Sequence, residues 1–296
     1  MSGKRYLLDS DNGDGYNART SDRSGGTFPG DSLLLAGGSI KLKTPNQATY
    51  SIPSLEVVGM SAFHAAVGGN TFNLAGTNWT IFAGCKLTLA CGMETSSLGY
   101  ASNIHVTEGT ISGDGTLEIL DITPEGIARD GTAKGVSGTR LACNLRGFRG
   151  RIRGHFGENI GIGNSMLYNY IEFATASSIP ANPKQLDRES ILIENGGWLK
   201  FDDSAIIPRN RGITLKPGNY PLQYYNLPTL YVPQGKTVEI RSPVTAKGGF
   251  RVMGGGTVVL SNYADVNKEK VSCKDANGED SGFVVYRNVG LCIMLR

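Results

Sequence analysis

The sequence predicts an all-β chain wound as a single-stranded, right-handed parallel β-helix with a cap at each end. Three observations predict it. Apolar residues come as brief alternating pairs such as Leu87-x-Leu89, Leu117-x-Ile119 and Val238-x-Ile240, the signature of short strands with one buried face. Glycine accounts for 41 of 296 residues, about twice the ordinary ~7% share. Strand, glycine turn and strand also recur at spacings of roughly eight to ten residues, with no stretch of long amphipathic helix between them. A sandwich would need longer strands closed by tight Asn-Gly or Asp-Gly hairpins. Pairs this short suit a solenoid, in which three short strands make one coil. Coils of ~20–25 residues would number on the order of ten.

The elements follow in order. Residues 1–30 are polar and turn-rich and read as an N-terminal cap. The solenoid reads as residues 31–262. It opens with Leu33 and Leu35, then Ile40 and Leu42, with Lys41 and Lys43 facing water. Ile52, Leu55 and Val57 follow, then Phe72 and Leu74, Trp79 and Ile81, Leu87 and Leu89, Ile104 and Val106, and Leu117 and Ile119. Residues 121–138 break the rhythm as an excursion. It resumes at Leu141, Leu145, Phe148 and Ile152, and breaks again over the polar, proline-containing residues 175–189. Ile191 and Ile193, Leu199 and Phe201, Ile213 and Leu215, Leu230 and Val232, Ile240, Val258 and Leu260 complete the inward set. Residues 263–296 read as a C-terminal cap ending in a strand at 291–295. Burying each inward Leu, Ile or Val contributes ~1.5–3 kcal/mol, and stacking makes that core continuous.

Several stretches resemble the autotransporter-associated β-strand repeat of bacterial surface proteins. The clearest is Lys247-Gly-Gly-Phe-Arg-Val-Met-Gly-Gly-Gly-Thr-Val-Val-Leu-Ser-Asn262, which is similar to that family's Gly-Gly-Leu-x-Lys-x-Gly-x-Gly-Thr-Leu-x-Leu-Ser element. Arg211-Gly-Ile-Thr-Leu215 and Gly235-Lys-Thr-Val-Glu-Ile240 resemble the strands before it, and Gly147-Phe-Arg-Gly-Arg-Ile152 the family's Gly-Phe-Thr-Gly-Thr-Leu unit. The resemblance implies a pectin-lyase-like superfold and a surface or secreted stalk, adhesin or passenger module. It carries structure more than activity.

The net charge of +3 is mild and favours no nucleic-acid partner, since a DNA or RNA binder usually shows a concentrated basic face. No apolar run reaches the ~18 residues of a membrane helix. Residues 1–9 hold no apolar export core. The five cysteines (Cys85, Cys91, Cys143, Cys273 and Cys292) form no Cys-x-x-Cys pair, and the three histidines are far apart. Buried thiols, rather than a zinc cluster, are expected.

Four constellations carry candidate chemistry. Arg149, Arg151 and Arg153 alternate, so on one strand they would share a side and could grip an acidic polysaccharide. Tyr224 and Tyr225, with Tyr220 and Tyr231 nearby, could form a platform for sugar rings. Asp9, Asp11 and Asp14 sit in a calcium-loop-like run that lacks the acid expected at its twelfth position; no other cofactor is expected. Glu108, Asp114, Glu118 and Asp121 are the nearest approach to a catalytic carboxylate group. The expected function is a non-catalytic structural or adhesive β-helix module that binds glycans. The alternatives are a polysaccharide-active β-helix enzyme and a phage tail-spike-like receptor-binding protein. Depolymerisation of acidic glycans distinguishes the first alternative, and mass in solution the second.

Overall fold

The computed structural model describes residues 5–8, 32–42, 49–65, 71–91, 102–121, 137–156, 169–218, 227–275, 278–288 and 291–295. Within them the chain forms a parallel β-solenoid, with no α-helix and only two single-turn 3-10 helices, at Ala176–Ser178 and Lys268–Lys270. Every strand pairing but one is parallel. The exception is β23 (Leu291–Leu295), which folds back antiparallel on β22 (Phe283–Asn288).

Each coil contributes to three parallel faces. Face A takes residues 32–35, 54–57, 78–81, 110–113 and 144–148 of successive coils, then residues 205–207, 238–240, 257–260 and 283–286. Face B stacks residues 37–42, 60–65, 86–91, 116–121, 151–155, 191–193, 213–215 and 244–246. Face C stacks residues 49–51, 71–75, 103–106, 137–141, 169–173, 198–201, 229–231, 250–253 and 271–272. About nine coils result, close to the sequence expectation. The parallel register continues past residue 262 through the pairing of β20 (Thr257–Val266) with β22.

The apolar pairs form interior columns that run from coil to coil. On face B, Leu87, Leu117, Ile152, Ile191, Ile213 and Val244 lie in register and are all buried. Face C lines up Tyr50, Leu74, Val106, Leu141, Phe173 and Phe201. Where Gly154 interrupts a column, Phe156 folds into the space. A Cβ on Gly154 would meet its ring at 2.6 Å, and one on Gly197 at 2.1 Å.

Two features depart from a regular stack of short strands, the second of them at the break read from the sequence over residues 175–189. Several strands are longer than expected: β4 (Ser54–Ala65) has 12 residues and β5 (Thr71–Ile81) has 11. These strands run around a corner of the prism at a register shift, so the ladder continues where a chain break was expected. The face A ladder is also interrupted in the sixth coil. Residues 179–183, Ile-Pro-Ala-Asn-Pro, include two prolines, which lack the donor that a ladder needs.

Candidate functional site

The connections are distributed unevenly around the prism. Turns from face A to face B are short, as at residues 82–85, 114–115, 149–150 and 208–210. At the tightest of these, a Cβ on Gly150 would lie 1.8 Å from the Gly115 carbonyl oxygen of the coil below, so only glycine fits. Connections from face B to face C range widely. Residues 194–197 turn tightly through Asn195 (φ 51°) and Gly196 (φ 71°), whereas residues 92–102, 122–136, 156–168 and 216–228 are long. All four long connections therefore leave the same corner of the stack, the corner opposite face A.

A buried polar clamp holds the bases of two of them. Asn169 Nδ2 donates to the Asp121 carboxylate at 2.8 Å, and the Ser137 hydroxyl donates to Asn169 Oδ1. Asp121 is the last strand residue before the 122–136 connection, Ser137 the first after it, and Asn169 the first after 156–168. At the base of the 216–228 connection a groove of about 460 Å³ is lined by Pro217, Leu227, Gly248, Lys270, Val271 and Ser272.

Face C, beside this corner, carries on its outward side a cluster that sequence reasoning missed. Register places Arg140, Glu172, Lys200, Tyr231 and Met253 in one column, and Tyr170 and Trp198 in the next. Lys200 Nζ lies 2.8 Å from Glu172, 4.8 Å from the Tyr170 ring centre and 5.5 Å from that of Tyr231. Arg140 bonds Glu172 and reaches Asp202 at 2.6 Å. The Tyr170 hydroxyl and His105 Nε2 share a hydrogen bond of 3.2 Å. Trp198 stacks on Tyr231 with ring centres 6.3 Å apart. Burial raises the Glu172 carboxyl, but Lys200 and Arg140 outweigh it and hold Glu172 below the usual carboxylate value. Burial, aided by Arg140 and Lys200 against Glu172, pushes the His105 imidazole below its ordinary value and favours the neutral ring. Only the alternation of outward residues in Tyr170-x-Glu172, Trp198-x-Lys200 and Thr229-x-Tyr231 hints at this group in the sequence.

The three candidate arginines do not share one strand. Arg149 lies on the turn between β10 (Asn144–Phe148) and β11 (Arg151–His155), so the expected single row is corrected to a pair on β11 plus a corner residue. Phe148 and Ile152 face the core as expected. Arg151 is bound to Asp187 at 2.6 Å, which neutralises it. Arg153 stands outward in the column of Thr88, Glu118, Leu192 and Thr214. The candidate acids do not converge. Lys86 holds Glu118 at 2.6 Å, Asn169 holds Asp121, and Glu108 and Asp114 are exposed at two different corners. Tyr224, Tyr225, Asp9, Asp11 and Asp14 lie outside the described residues. Among the described residues no three His, Cys, Asp or Glu side chains gather to hold a metal. Cys85, Cys91, Cys143 and Cys273 are free thiols, and burial pushes Cys91 and Cys143 up to about 12, which leaves them unreactive. No described helix is long and apolar enough to cross a membrane.

No protein-family model, curated protein or solved structure matches the chain.

Proposed function

We propose that this chain is a non-catalytic, adhesive β-helix module of a bacterial surface or secreted protein, and that it presents its ligand-contacting connections along one edge of a rigid rod. The carrying observation is that the long connections 92–102, 122–136, 156–168 and 216–228 all leave the corner between faces B and C. In solenoids, insertions confined to one side commonly build the binding surface, because the stacked coils hold their bases at fixed spacing. Ordered scaffolds carrying variable loops are a general way to build recognition. The ligand class proposed is a cell-surface glycan. Tyr224 and Tyr225 fall in the 216–228 connection, whose base borders the groove lined by Pro217 and Leu227. Arg149 and Arg153, which form no ion pair among the described residues, supply donors for an acidic sugar on the neighbouring face.

The test replaces residues 219–226 by a short turn patterned on Glu194-Asn195-Gly196-Gly197 and presents both proteins to a glycan array. The variant is expected to melt like the parent and to lose its glycan signal. An unchanged signal, or none from the parent at all, rejects the reading.

One observation favours a polysaccharide-active enzyme as the second reading: the half-buried His105, Tyr170, Glu172 and Lys200 cluster, whose perturbed groups are of the kind found where protons move. Release of new reducing ends or unsaturated sugars from a glycan panel, lost in Tyr170→Phe, is the result that would favour it over adhesion.

A further inference from the structure

The corner where face A turns into face B has a charge pattern of its own in coils five to eight. The turns there are residues 149–150, 184–186, 208–210 and 241–243. Backbone and side-chain bonds hold successive corners side by side. The Ala181 amide donates to the Leu145 carbonyl at 3.2 Å, Asn210 Nδ2 donates to the Pro183 carbonyl at 2.9 Å, and Ile207 pairs with Ile240. Each turn brings one exposed cation, in order Arg149, Lys184, Arg209 and Arg241. They therefore follow one another rung by rung, ~4.8 Å apart along the rod. Arg149, Lys184 and Arg209 form no ion pair among the described residues, and neither does Arg146, which is exposed on the adjoining β10. Arg241 is held at 2.9 Å by Glu239. The neighbouring acids are largely bound as well: Asp187 to Arg151 and Asp265 to Arg188. Glu189 is exposed and has no ion pair among the described residues, so one negative charge faces four uncompensated positive ones.

Two aliphatic side chains share this corner. Leu186 lies in the same turn as Lys184. Ile206 is the outward residue of β15 (Ala205–Ile207), just before the turn that carries Arg209. Each is 50% exposed. The strip ends at the fourth coil, where the exposed Asp114 takes the corner position, and the exposed Val58 and Phe82 lie beyond that charge on the second and third coils. The identity of the apolar residues selects among anionic partners. A sugar chain calls for aromatic rings to stack on, and the described residues of this corner expose none. Cations in a line, flanked by protruding aliphatic side chains, match the boundary between lipid headgroups and acyl chains.

We propose that this edge docks the rod on an anionic phospholipid bilayer, with Arg146, Arg149, Lys184 and Arg209 over the headgroup phosphates and Leu186 and Ile206 entering the acyl boundary. Each Lys or Arg beside such a surface strengthens binding about fivefold. The edge lies opposite face C, so a docked rod turns face C outward and keeps the B–C corner, with its long connections, clear of the bilayer. Arg149 is shared with the sugar-binding reading, whereas Arg146, Lys184 and Arg209 belong to this edge alone.

The test is co-sedimentation of the full chain with vesicles of equal parts phosphatidylcholine and phosphatidylglycerol, and with vesicles of phosphatidylcholine alone. Binding is expected to the first and not to the second, and it should weaken severalfold between ~50 and ~200 mM salt. Lys184→Gln combined with Arg209→Gln, both at exposed positions, is expected to melt like the parent and to bind about 25-fold more weakly. Leu186→Ser combined with Ile206→Ser is expected to weaken binding roughly tenfold. Lys247→Gln, away from this edge, and the replacement of residues 219–226 are expected to leave vesicle binding unchanged, so this proposal and the glycan reading fail separately. Absence of binding to the anionic vesicles, or equal binding to both kinds, overturns the proposal. So does parent-level binding by the Lys184→Gln and Arg209→Gln variant. Capture on immobilised heparin without binding to anionic vesicles assigns the strip to an acidic polysaccharide and overturns the membrane reading, and parent-level binding by the Leu186→Ser and Ile206→Ser variant overturns the entry of aliphatic side chains.

Discussion

Arg211 offers the sharpest test of how the solenoid survives its interrupted ladder. The side chain is fully buried, and among the described residues no carboxylate bonds it. Its Nε donates to the Ala181 carbonyl at 2.8 Å. One terminal nitrogen donates to Gly150 at 2.9 Å and to the Ser190 hydroxyl at 2.8 Å, the other to Phe148 at 3.0 Å and again to Ala181. All five guanidinium donors are thus used, and three backbone carbonyls that the proline-bearing coil leaves without ladder partners are satisfied by one residue from the next coil. Burial pushes Arg211 down to about 10, so it stays charged at neutral pH. Replacing it with Met keeps much of the volume and removes every donor. Each orphaned buried acceptor costs ~1–3 kcal/mol before relaxation, so a net loss of ~3–5 kcal/mol is expected. At ~2–4 °C per kcal/mol, the melting temperature should fall by ~6–20 °C. Arg211→Lys, whose single ammonium cannot span three carbonyls, should recover less than half of that. Thermal melts followed by circular dichroism, with urea titrations alongside, give both numbers. An Arg211→Met melt within ~2 °C of the parent would show that water or chain movement satisfies those carbonyls and would refute the reasoning.

Two further predictions concern the core and the acid limb. Ile240→Asp places a carboxylate in the interior column between Ile207 and Leu260, at a cost of several kcal/mol. No cooperative melt is expected, and a native-like one would displace Ile240 from the interior. Glu172 has its folded value held below its unfolded one, so it contributes stability that is present above the unfolded value of ~4.3 and is lost as pH falls through the folded value. His105 is shifted down as well, so the unfolded chain takes up its proton first and stability declines as pH falls below ~6.5. Melting temperatures measured from pH 7 down to pH 3 should therefore fall less steeply in Glu172→Gln than in the parent below pH ~5, and parallel curves would contradict the pairing with Lys200 and Arg140.

The inward half of many strands was legible in the sequence because burial imposes a period of two on neighbouring residues, although a strand such as Asn169–Phe173, buried along its whole length, was not named. Leu87 and Leu89, or Val238 and Ile240, announce their face without any knowledge of their partners. What the outward residues do was not legible. His105, Arg140, Glu172 and Lys200 meet only through the coil register, and that register depends on how many residues each B-to-C connection consumes. The arginine row was misjudged for a related reason. Arg149 keeps the alternation of Arg151 and Arg153, but Gly150 packs against Gly115 and turns the chain a corner. Arg211 carried no signal at all, since a strand-opening arginine looks the same whether it faces water or plugs a gap.

The clamp at Asn169 connects fold and function most directly. The solenoid's stability comes from its columns, so the long connections need not be ordered for the rod to stand. If they recognise a ligand, something must fix where they begin and end. Asn169 does this by accepting from Ser137 and donating to Asp121, joining the two ends of one connection to the exit of the next. Because the group is buried, Asn169→Ala removes the hydrogen bonds to Ser137 and Asp121, an expected cost of ~2–3 kcal/mol. That cost should fall locally, since the neighbouring inward residues Ile171 and Phe173 keep their columns. Limited proteolysis is therefore expected to cut residues 122–136 and 156–168 at least tenfold faster in Asn169→Ala, with residues 216–228 cut at the parent rate. Equal acceleration at all three connections would mean that the substitution loosens the whole stack, and no acceleration that the clamp does not hold their bases.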